Sequence, residues 1–372
     1  MIWLWLSAVT CLLVCLSRRA YRSYDRGPKT TSTTGLKLLH LPRRKQLSDR
    51  ASANLLFGQA FDISNPFTSE SKVLRDRFLR RTFGLMRDGQ TTSFWCTAAS
   101  MAAEYASLRH PGTTLRDLTQ QTTLKIAVHH ILGYEGSVEG LPALVDYINQ
   151  TWIDLKAGKE SAPMQKNVCE LLANIGGTNV CESFDQNGDE GAFNPLNLII
   201  PIYESTSRLV FLLLLAILRQ PSLNRREFTT RCCQFRSLGT MSALDEGHPS
   251  LHNYIDEALR LYPPVKRLHR QSCGSSYSID LQASHHSLEV WGLDALEFKP
   301  ERMRWLTKEQ QTAFIPFSTG QIACPARQAF APLLGMCLCQ ILDRGLRLLR
   351  QSLASYRASQ VTSIYSKLKC RG

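Results

Sequence analysis

The chain has 372 residues, of which 44% are hydrophobic and 20% charged, and its formal net charge is +13. These values are those of a globular protein with a sizeable core, and they exclude a disordered or fibrous chain. The 44 Lys and Arg residues are scattered without a dense basic tract interleaved with aromatic residues, which argues against a nucleic-acid-binding protein.

The first residues predict a membrane anchor. Residues 2–17 carry no charge, and as a helix they would span about 24 Å, a little less than the ~30 Å hydrocarbon core. A basic cluster from Arg18 to Lys29 follows, which keeps the rest of the chain on the cytosolic side. A cleaved secretory signal is the alternative, but neither a basic n-region nor a cleavage site is clear. We therefore expect a single-pass signal anchor at 2–17, a basic linker at 18–50 and one domain at 51–372.

Apolar residues at helical spacing dominate the first part of that domain. The pattern predicts helices over 71–87, 92–108 and 115–133, the last of which ends at a glycine. After a polar loop at 185–195, residues 196–220 form a segment whose second half is apolar all round. Its internal charges and proline would be costly at bilayer depth, which favours a helix buried in protein over a membrane span.

Residue types that often bind metals show no metal-site spacing. The twelve cysteines lack a C-x-x-C pair or a disulfide framework, so most are expected to be small buried hydrophobic residues. The adjacent pairs His129–His130 and His285–His286 point in different directions on a helix. We expect ordinary core or surface histidines at these positions.

The stretch IDEALRLYPPV, residues 255–265, reads as a helix ended by two prolines. Glu257 and Arg260 are three residues apart, so they share one helix face and can pair. Such pairs are common on solvated faces, but the apolar flanks favour a buried pair that fixes geometry. Arg302, in VWGLDALEFKPERM, could complete a network with them.

The stretch FIPFSTGQIACPARQAFAPLLG, residues 314–335, contains Cys324. Pro325 suits the first turn of a helix, so Cys324 is expected near a helix N-terminus, where the pKa of a thiol is lowered. Gly320 lets the backbone approach a large, flat ligand. A thiolate on such a loop suits the ligation of haem iron. A buried structural cysteine is the alternative.

In this order the motifs EALR with LYPPV, FKPERM and FSTGQIACPA resemble the cytochrome P-450 monooxygenases, in particular fungal members of secondary metabolism. The resemblance runs from about residue 54 to about residue 347. It implies a mostly α fold with small β-sheets (α+β), which is the cytochrome P-450 fold, preceded by one N-terminal membrane anchor helix.

The resemblance implies roles on the proximal side of a haem b. Cys324 would be the thiolate ligand of the iron, Phe317 would pack near its sulfur, and Gly320 would make room for the haem. Arg270 would bind a haem propionate through a charge-assisted hydrogen bond. The set formed by Glu257, Arg260 and Arg302 would hold the core behind the haem.

On the distal side, the helix at 196–220 would cross the haem. Its Glu204, Ser205 and Thr206 match the acid–alcohol part of the family's oxygen-activation motif. An acid beside a hydroxyl can relay protons and orient water.

The chain departs from the family pattern at several of these positions. Ile322 stands where the haem loop usually has a basic residue, and Pro201 and Ile202 stand where the distal motif has a small residue and a glycine. No W-x-x-x-R pattern supplies a propionate-binding arginine, so Arg75 or Arg77 is the candidate substitute.

The resemblance implies an enzyme, a membrane-anchored haem-thiolate monooxygenase that oxidises an apolar small molecule in secondary-metabolite biosynthesis. Its electrons would come from NADPH through an NADPH-cytochrome reductase. The protein would lie in the endoplasmic reticulum membrane with its catalytic domain in the cytosol. The alternative is a degenerate, inactive relative that acts as a haem-binding or structural scaffold. The short stretch between the anchor and residue 52, the atypical segment 350–372 and Pro201–Ile202 favour the alternative. The intact Cys324, Glu257–Arg260 and Glu204–Ser205 favour the enzyme.

Overall fold

The computed structural model describes most of the chain between residues 29 and 327. The described residues are 29–30, 43–88, 114–137, 139–185, 193–238, 247–272, 275–318, 323–327 and 335. The expected anchor at 2–17, the expected helix at 92–108 and Gly320 lie outside them.

The described part is mostly helical, as the sequence predicts. Its α-helices are α1 (Arg43–Ala53), α2 (Leu55–Phe61), α3 (Lys72–Asp88), α4 (Leu115–Ile126), α5 (Leu141–Ala157), α6 (Lys166–Gly176), α7 (Asn179–Asp185), α8 (Leu196–Arg219), α9 (Ser222–Leu238), α10 (Leu251–Leu261), α11 (Leu281–His285), α12 (Leu288–Trp291) and α13 (Lys308–Ala313). The segment Ala127–Ile131 continues α4 as a π-helix, and Pro300–Arg304 forms a 3-10 helix before α13.

Three strands form one small sheet in the order β1 (Lys29–Thr30), β3 (Ser275–Asp280) and β2 (Arg267–Ser272). The central strand β3 pairs in parallel with β1 and antiparallel with β2. The predicted fold, mostly α with a small sheet, is therefore confirmed.

Helix α4 begins and ends where its sequence predicts. The Thr114 hydroxyl accepts a 3.1 Å hydrogen bond from the Asp117 backbone N–H, which caps the N-terminus. The helical path continues through the π-helical segment and ends before Gly133, whose φ of +66° favours glycine.

Helix α8 is the central helix of the core. Most of its residues are buried, and by length and composition alone it could also cross a membrane. Its first half packs with α5 and α6 in one apolar cluster, and its second half packs with α4, α9 and α10 in another. The interpretation of this segment as a helix buried in protein is confirmed.

Helix α1 crosses the domain boundary expected at residue 50. It begins at Arg43, and its residues Leu47, Asp49 and Arg50 are buried. The helix packs along β2, so part of the segment expected to be a linker belongs to the folded domain.

Candidate functional site

Helix α10 positions the first group of functional side chains. The Ser250 hydroxyl accepts a 3.2 Å hydrogen bond from the Asn253 backbone N–H, and the Asn253 side chain accepts one from the Ser250 backbone N–H. The helix is buried on nearly all sides, so the ion pair on its buried face has to be satisfied inside the protein.

That pair is Glu257 and Arg260, and both side chains are 0% exposed. Arg260 donates from Nε and Nη2 to the two carboxylate oxygens of Glu257, each at 2.8 Å. Its Nη1 donates to the carbonyls of His285 at 2.8 Å and Ala295 at 2.6 Å, and Nη2 also donates to the carbonyl of Glu297 at 3.3 Å. All five guanidinium N–H groups therefore have acceptors, and the pair joins three separate segments.

Arg302 completes this network, as the sequence suggested. Its Nε lies 3.6 Å from Glu257 Oε1, and its Nη1 donates to the Trp291 carbonyl at 2.9 Å and to Asp294 Oδ1 at 3.1 Å. Hydrogen bonds from Lys299 and Arg302 lower the pKa of Asp294 to about 2. The structure thus brings Glu257, Arg260 and Arg302 together.

His285 links this network to the cysteine loop, a role that sequence reasoning missed. The side chain is 0% exposed, and its Nε2 accepts from the Ile315 backbone N–H at 3.2 Å. That donor assigns the proton of the neutral ring to Nδ1. Burial, followed by the charge of Arg260, lowers the pKa of His285 to about 3. The prediction of an ordinary core histidine is confirmed, but α11 is too short for any periodicity to reveal this contact.

The loop that carries Cys324 folds back on itself. The Cys324 backbone N–H donates to the Phe317 carbonyl at 2.8 Å, and Ser318 has a left-handed φ of 59°. Phe317 and Ala326 pack against the apolar cluster shared by α4, α8 and α10. The half-buried Cys324 is therefore held beside Phe317 at the edge of that cluster.

The expected lowering of the thiol pKa is wrong for the protein without haem. Burial raises the pKa of Cys324, and a hydrogen bond with the Ala326 backbone acts in the opposite direction with a smaller effect. Helix begins only at Arg327, so the thiol lies three residues before it and not at its N-cap. A cation bound at the sulfur would be needed to favour the thiolate here.

On α8, the residues of the distal motif differ in burial and in hydrogen bonding. The Ser205 hydroxyl donates to the Pro201 carbonyl at 2.8 Å and is half-buried. Thr206, by contrast, is 0% exposed within the core. Ile202, one turn from both, belongs to the same apolar cluster as Phe317, so this turn of α8 adjoins the cluster on which the cysteine loop packs.

Glu204 is half-buried on α8 next to positive charges. Burial raises the pKa of its carboxyl, while the charges of Arg208 and Lys156 act in the opposite direction. The carboxyl group is thus protonated over a wider pH range than an exposed glutamate, which suits a proton donor.

Arginines gather beside the sheet. Arg270 on β2 is 6% exposed, and Arg75 on α3 is also 6% exposed. Arg50 on α1 is 7% exposed, and burial together with the charges of Arg270 and Arg75 lowers its pKa to about 9. Arg75, one of the two candidate substitutes for the missing propionate-binding arginine, therefore lies close enough to Arg50 to affect its pKa, whereas Arg50 was missed because it lies in the expected linker.

The described residues contain no group of three or more His, Cys, Asp and Glu side chains that could hold a metal ion. One thiol ligand, with arginines to hold the propionates, is instead the donor set that a haem would use, since the porphyrin supplies the other iron ligands. The residues present in the described part of the chain fit that group.

Comparison with known proteins agrees with these motifs. Residues 203–344 match the family model of cytochrome P450. Cytokinin hydroxylase of Arabidopsis thaliana is 32% identical over 136 residues, which are 33% of this chain and 26% of that protein. Benzoate 4-monooxygenase of Aspergillus niger is 48% identical over 58 residues, which are 14% of this chain and 11% of that protein. The chain thus matches about a quarter or less of the length of these relatives.

Solved structures show the fold over a longer part of the chain. The heme domain of a cytochrome P450DA mutant superposes with a TM-score of 0.59 and 16% identity, covering 85% of this chain and 79% of that one. A CYP154C4 structure from Streptomyces gives a TM-score of 0.56 at 15% identity, with 85% and 82% covered.

Proposed function

We propose that this chain is a cytochrome P450, that it binds haem b through Cys324 and that it oxidises an apolar small molecule with dioxygen. The observation that carries the proposal is the half-buried Cys324 thiol, on a loop closed by Phe317 and tied through His285 to the fully buried Arg260. This arrangement keeps a lone thiol in a fixed place at the edge of an apolar cluster.

Bound haem would supply dioxygen activation, which the thiolate ligand favours by donating electron density. Cys324 would supply that ligand, and Phe317 would exclude water from the sulfur. Arg270 would hold a propionate. The network of Glu257, Arg260 and Arg302 would contact neither the iron nor the propionates. It would act by positioning the segments that lead into the cysteine loop.

On the distal side, Glu204 and Ser205 would handle protons. The raised pKa of Glu204 keeps a proton available on its carboxyl, and Arg208 and Lys156 limit that rise. Ser205 holds its hydroxyl against the Pro201 carbonyl and can exchange that bond for one with water or substrate. Thr206 is fully buried, so we propose no proton transfer through it.

We further propose the cellular setting that the family resemblance implies. Residues 2–17 would anchor the protein in the endoplasmic reticulum membrane, with the domain in the cytosol and an NADPH-cytochrome reductase as electron donor. The formal charge of +13 favours docking to an acidic flavin domain. The similarity to a benzoate 4-monooxygenase of Aspergillus niger supports the oxidation of a small molecule. We propose a role in fungal secondary metabolism on the resemblance of the sequence motifs.

Replacing Cys324 with serine tests the ligand assignment. We expect Cys324→Ser to lose the thiolate-type absorption of the haem protein, because a hydroxyl is a much weaker donor to iron than a thiolate. The control is Cys169→Ser, which removes an exposed thiol. Absorption spectra of both purified variants give the answer, and an unchanged spectrum for Cys324→Ser would reject Cys324 as the ligand.

Replacing Glu204 with glutamine tests the proton role. We expect Glu204→Gln to lower turnover by about 100-fold, a typical general-acid contribution, and to divert NADPH consumption into hydrogen peroxide. Wild-type turnover should fall as pH rises through the raised pKa of Glu204, and the variant should lack that fall. The control is Glu160→Gln at an exposed position. Full turnover without extra peroxide in Glu204→Gln would rule out the relay.

A further inference from the structure

Three buried arginines converge from three separate elements. Arg50 on α1, Arg75 on α3 and Arg270 on β2 are each no more than 7% exposed. Burying a guanidinium is costly unless an anion or good hydrogen-bond acceptors compensate it, and placing three together adds repulsion between like charges.

Arg75 and Arg270 each have an acceptor within the protein. Arg75 Nη1 lies 2.8 Å from Asp76, whose side chain is 41% exposed, and Arg270 Nη1 donates to the His269 carbonyl at 2.7 Å. Asp49 is also buried, one residue before Arg50 on α1.

Arg50 is the residue whose hydrogen bonding is incomplete. Its Nη2 donates to the Pro66 carbonyl, and its guanidinium lies 5.1 Å from the centre of the Phe67 ring. Its buried Nε has no hydrogen-bond partner within the described residues. A buried donor without an acceptor is destabilising, and a ligand anion would satisfy it.

The sheet places this cluster on the side of the cysteine loop. Leu268 packs with Ile279 against Ile315, two residues before Phe317. Because side chains alternate along a strand, Arg270 leaves β2 on the same face as Leu268. Arg270 and the start of the loop therefore share one face of the sheet.

We propose that Arg50, together with Arg75 and Arg270, forms a buried carboxylate-binding site in which Arg50 Nε is the open donor. It deepens the proposed function and rests on it, since the carboxylate would come either from a haem propionate or from a free carboxylic acid. Arg50 would then supply the cation that the haem loop lacks at Ile322. A planar guanidinium suits a carboxylate because it can donate two parallel hydrogen bonds.

The test compares wild type, Arg50→Gln and Arg50→Lys as full-length protein. One arm measures the rate at which bound haem transfers to excess apomyoglobin. The other measures benzoate binding by calorimetry, which does not depend on haem. If a propionate is the ligand, Arg50→Gln should transfer its haem at least about tenfold faster than wild type, and the rate of Arg50→Lys should lie between those of wild type and Arg50→Gln. The affinity for benzoate should then be the same in all three proteins. If a free acid is the ligand, the variant should lose benzoate affinity by a similar factor and keep its haem.

A control variant and the two independent measurements separate this site from a purely structural role and from the proposed function. Arg80→Gln removes an exposed arginine of α3 and should change neither arm. The carboxylate site would be overturned if wild type and Arg50→Gln had equal haem-transfer rates and equal benzoate affinities, even if the variant melted at a lower temperature. In that case a normal haem spectrum would still support the proposed function. A wild type that never takes up haem would defeat the proposed function, and the benzoate arm would still decide the site.

Discussion

Replacing Arg260 with alanine should lower the free energy of unfolding by about 3–5 kcal/mol, the usual cost of leaving one member of a buried ion pair alone. Glu257 would remain at 0% exposure without its two 2.8 Å hydrogen bonds. The carbonyls of His285 and Ala295 would lose their donor as well. Urea unfolding followed by tryptophan fluorescence measures the change.

A matched control shows that burial, and not charge alone, sets this size. Arg267 pairs with Asp280 at 3.2 Å, but its side chain is 34% exposed. Arg267→Ala should therefore cost about 1 kcal/mol or less. If Arg260→Ala costs no more than this control, the buried network does not hold the three segments together. The double variant Glu257→Met with Arg260→Met should recover part of the loss, because no buried charge is left unpaired.

Replacing His285 with glutamine should flatten the acid dependence of stability. The pKa of His285 is about 3 in the folded protein and ordinarily 6.5, so between these values the unfolded chain holds a proton that the native state lacks. Stability is therefore lost as pH falls below 6.5, by about 1.4 kcal/mol per unit and about 2 kcal/mol by pH 5. Glutamine can still accept from the Ile315 N–H but takes up no proton.

The measurement is the difference in unfolding free energy between wild type and His285→Gln at several pH values from 7 to 5. A hydrogen bond with Asp256 raises the pKa of His252, so His252→Gln should show the opposite sign. There the stabilising contribution is present below pH 6.5 and disappears as pH rises through the raised pKa. Parallel pH profiles for wild type and His285→Gln would contradict a buried neutral His285.

Local patterns predicted the elements and contacts that depend on neighbours in sequence. Helical periodicity located α3, α4 and α8, because each buries one apolar face over several turns. The three-residue spacing and apolar flanks predicted the Glu257–Arg260 pair, because its geometry is set within a single helix turn.

Contacts between segments that are distant in sequence could not be predicted from local patterns. The bond between His285 and Ile315 joins residues thirty positions apart, and nothing in either segment alone specifies it. Arg50 lies in a stretch whose charge suggested a solvated linker, and only the packing of α1 on β2 buries it. The sign of the Cys324 pKa shift also depended on burial in the apolar cluster, which outweighs the backbone dipoles.

The carbon monoxide difference spectrum of the reduced, full-length protein in membranes tests the central claim most directly. A strongly red-shifted Soret band means that Cys324 binds haem iron as a thiolate, and this is the result we predict. Haem incorporation without that shift, or no haem signal at all, would contradict a thiolate ligand at Cys324.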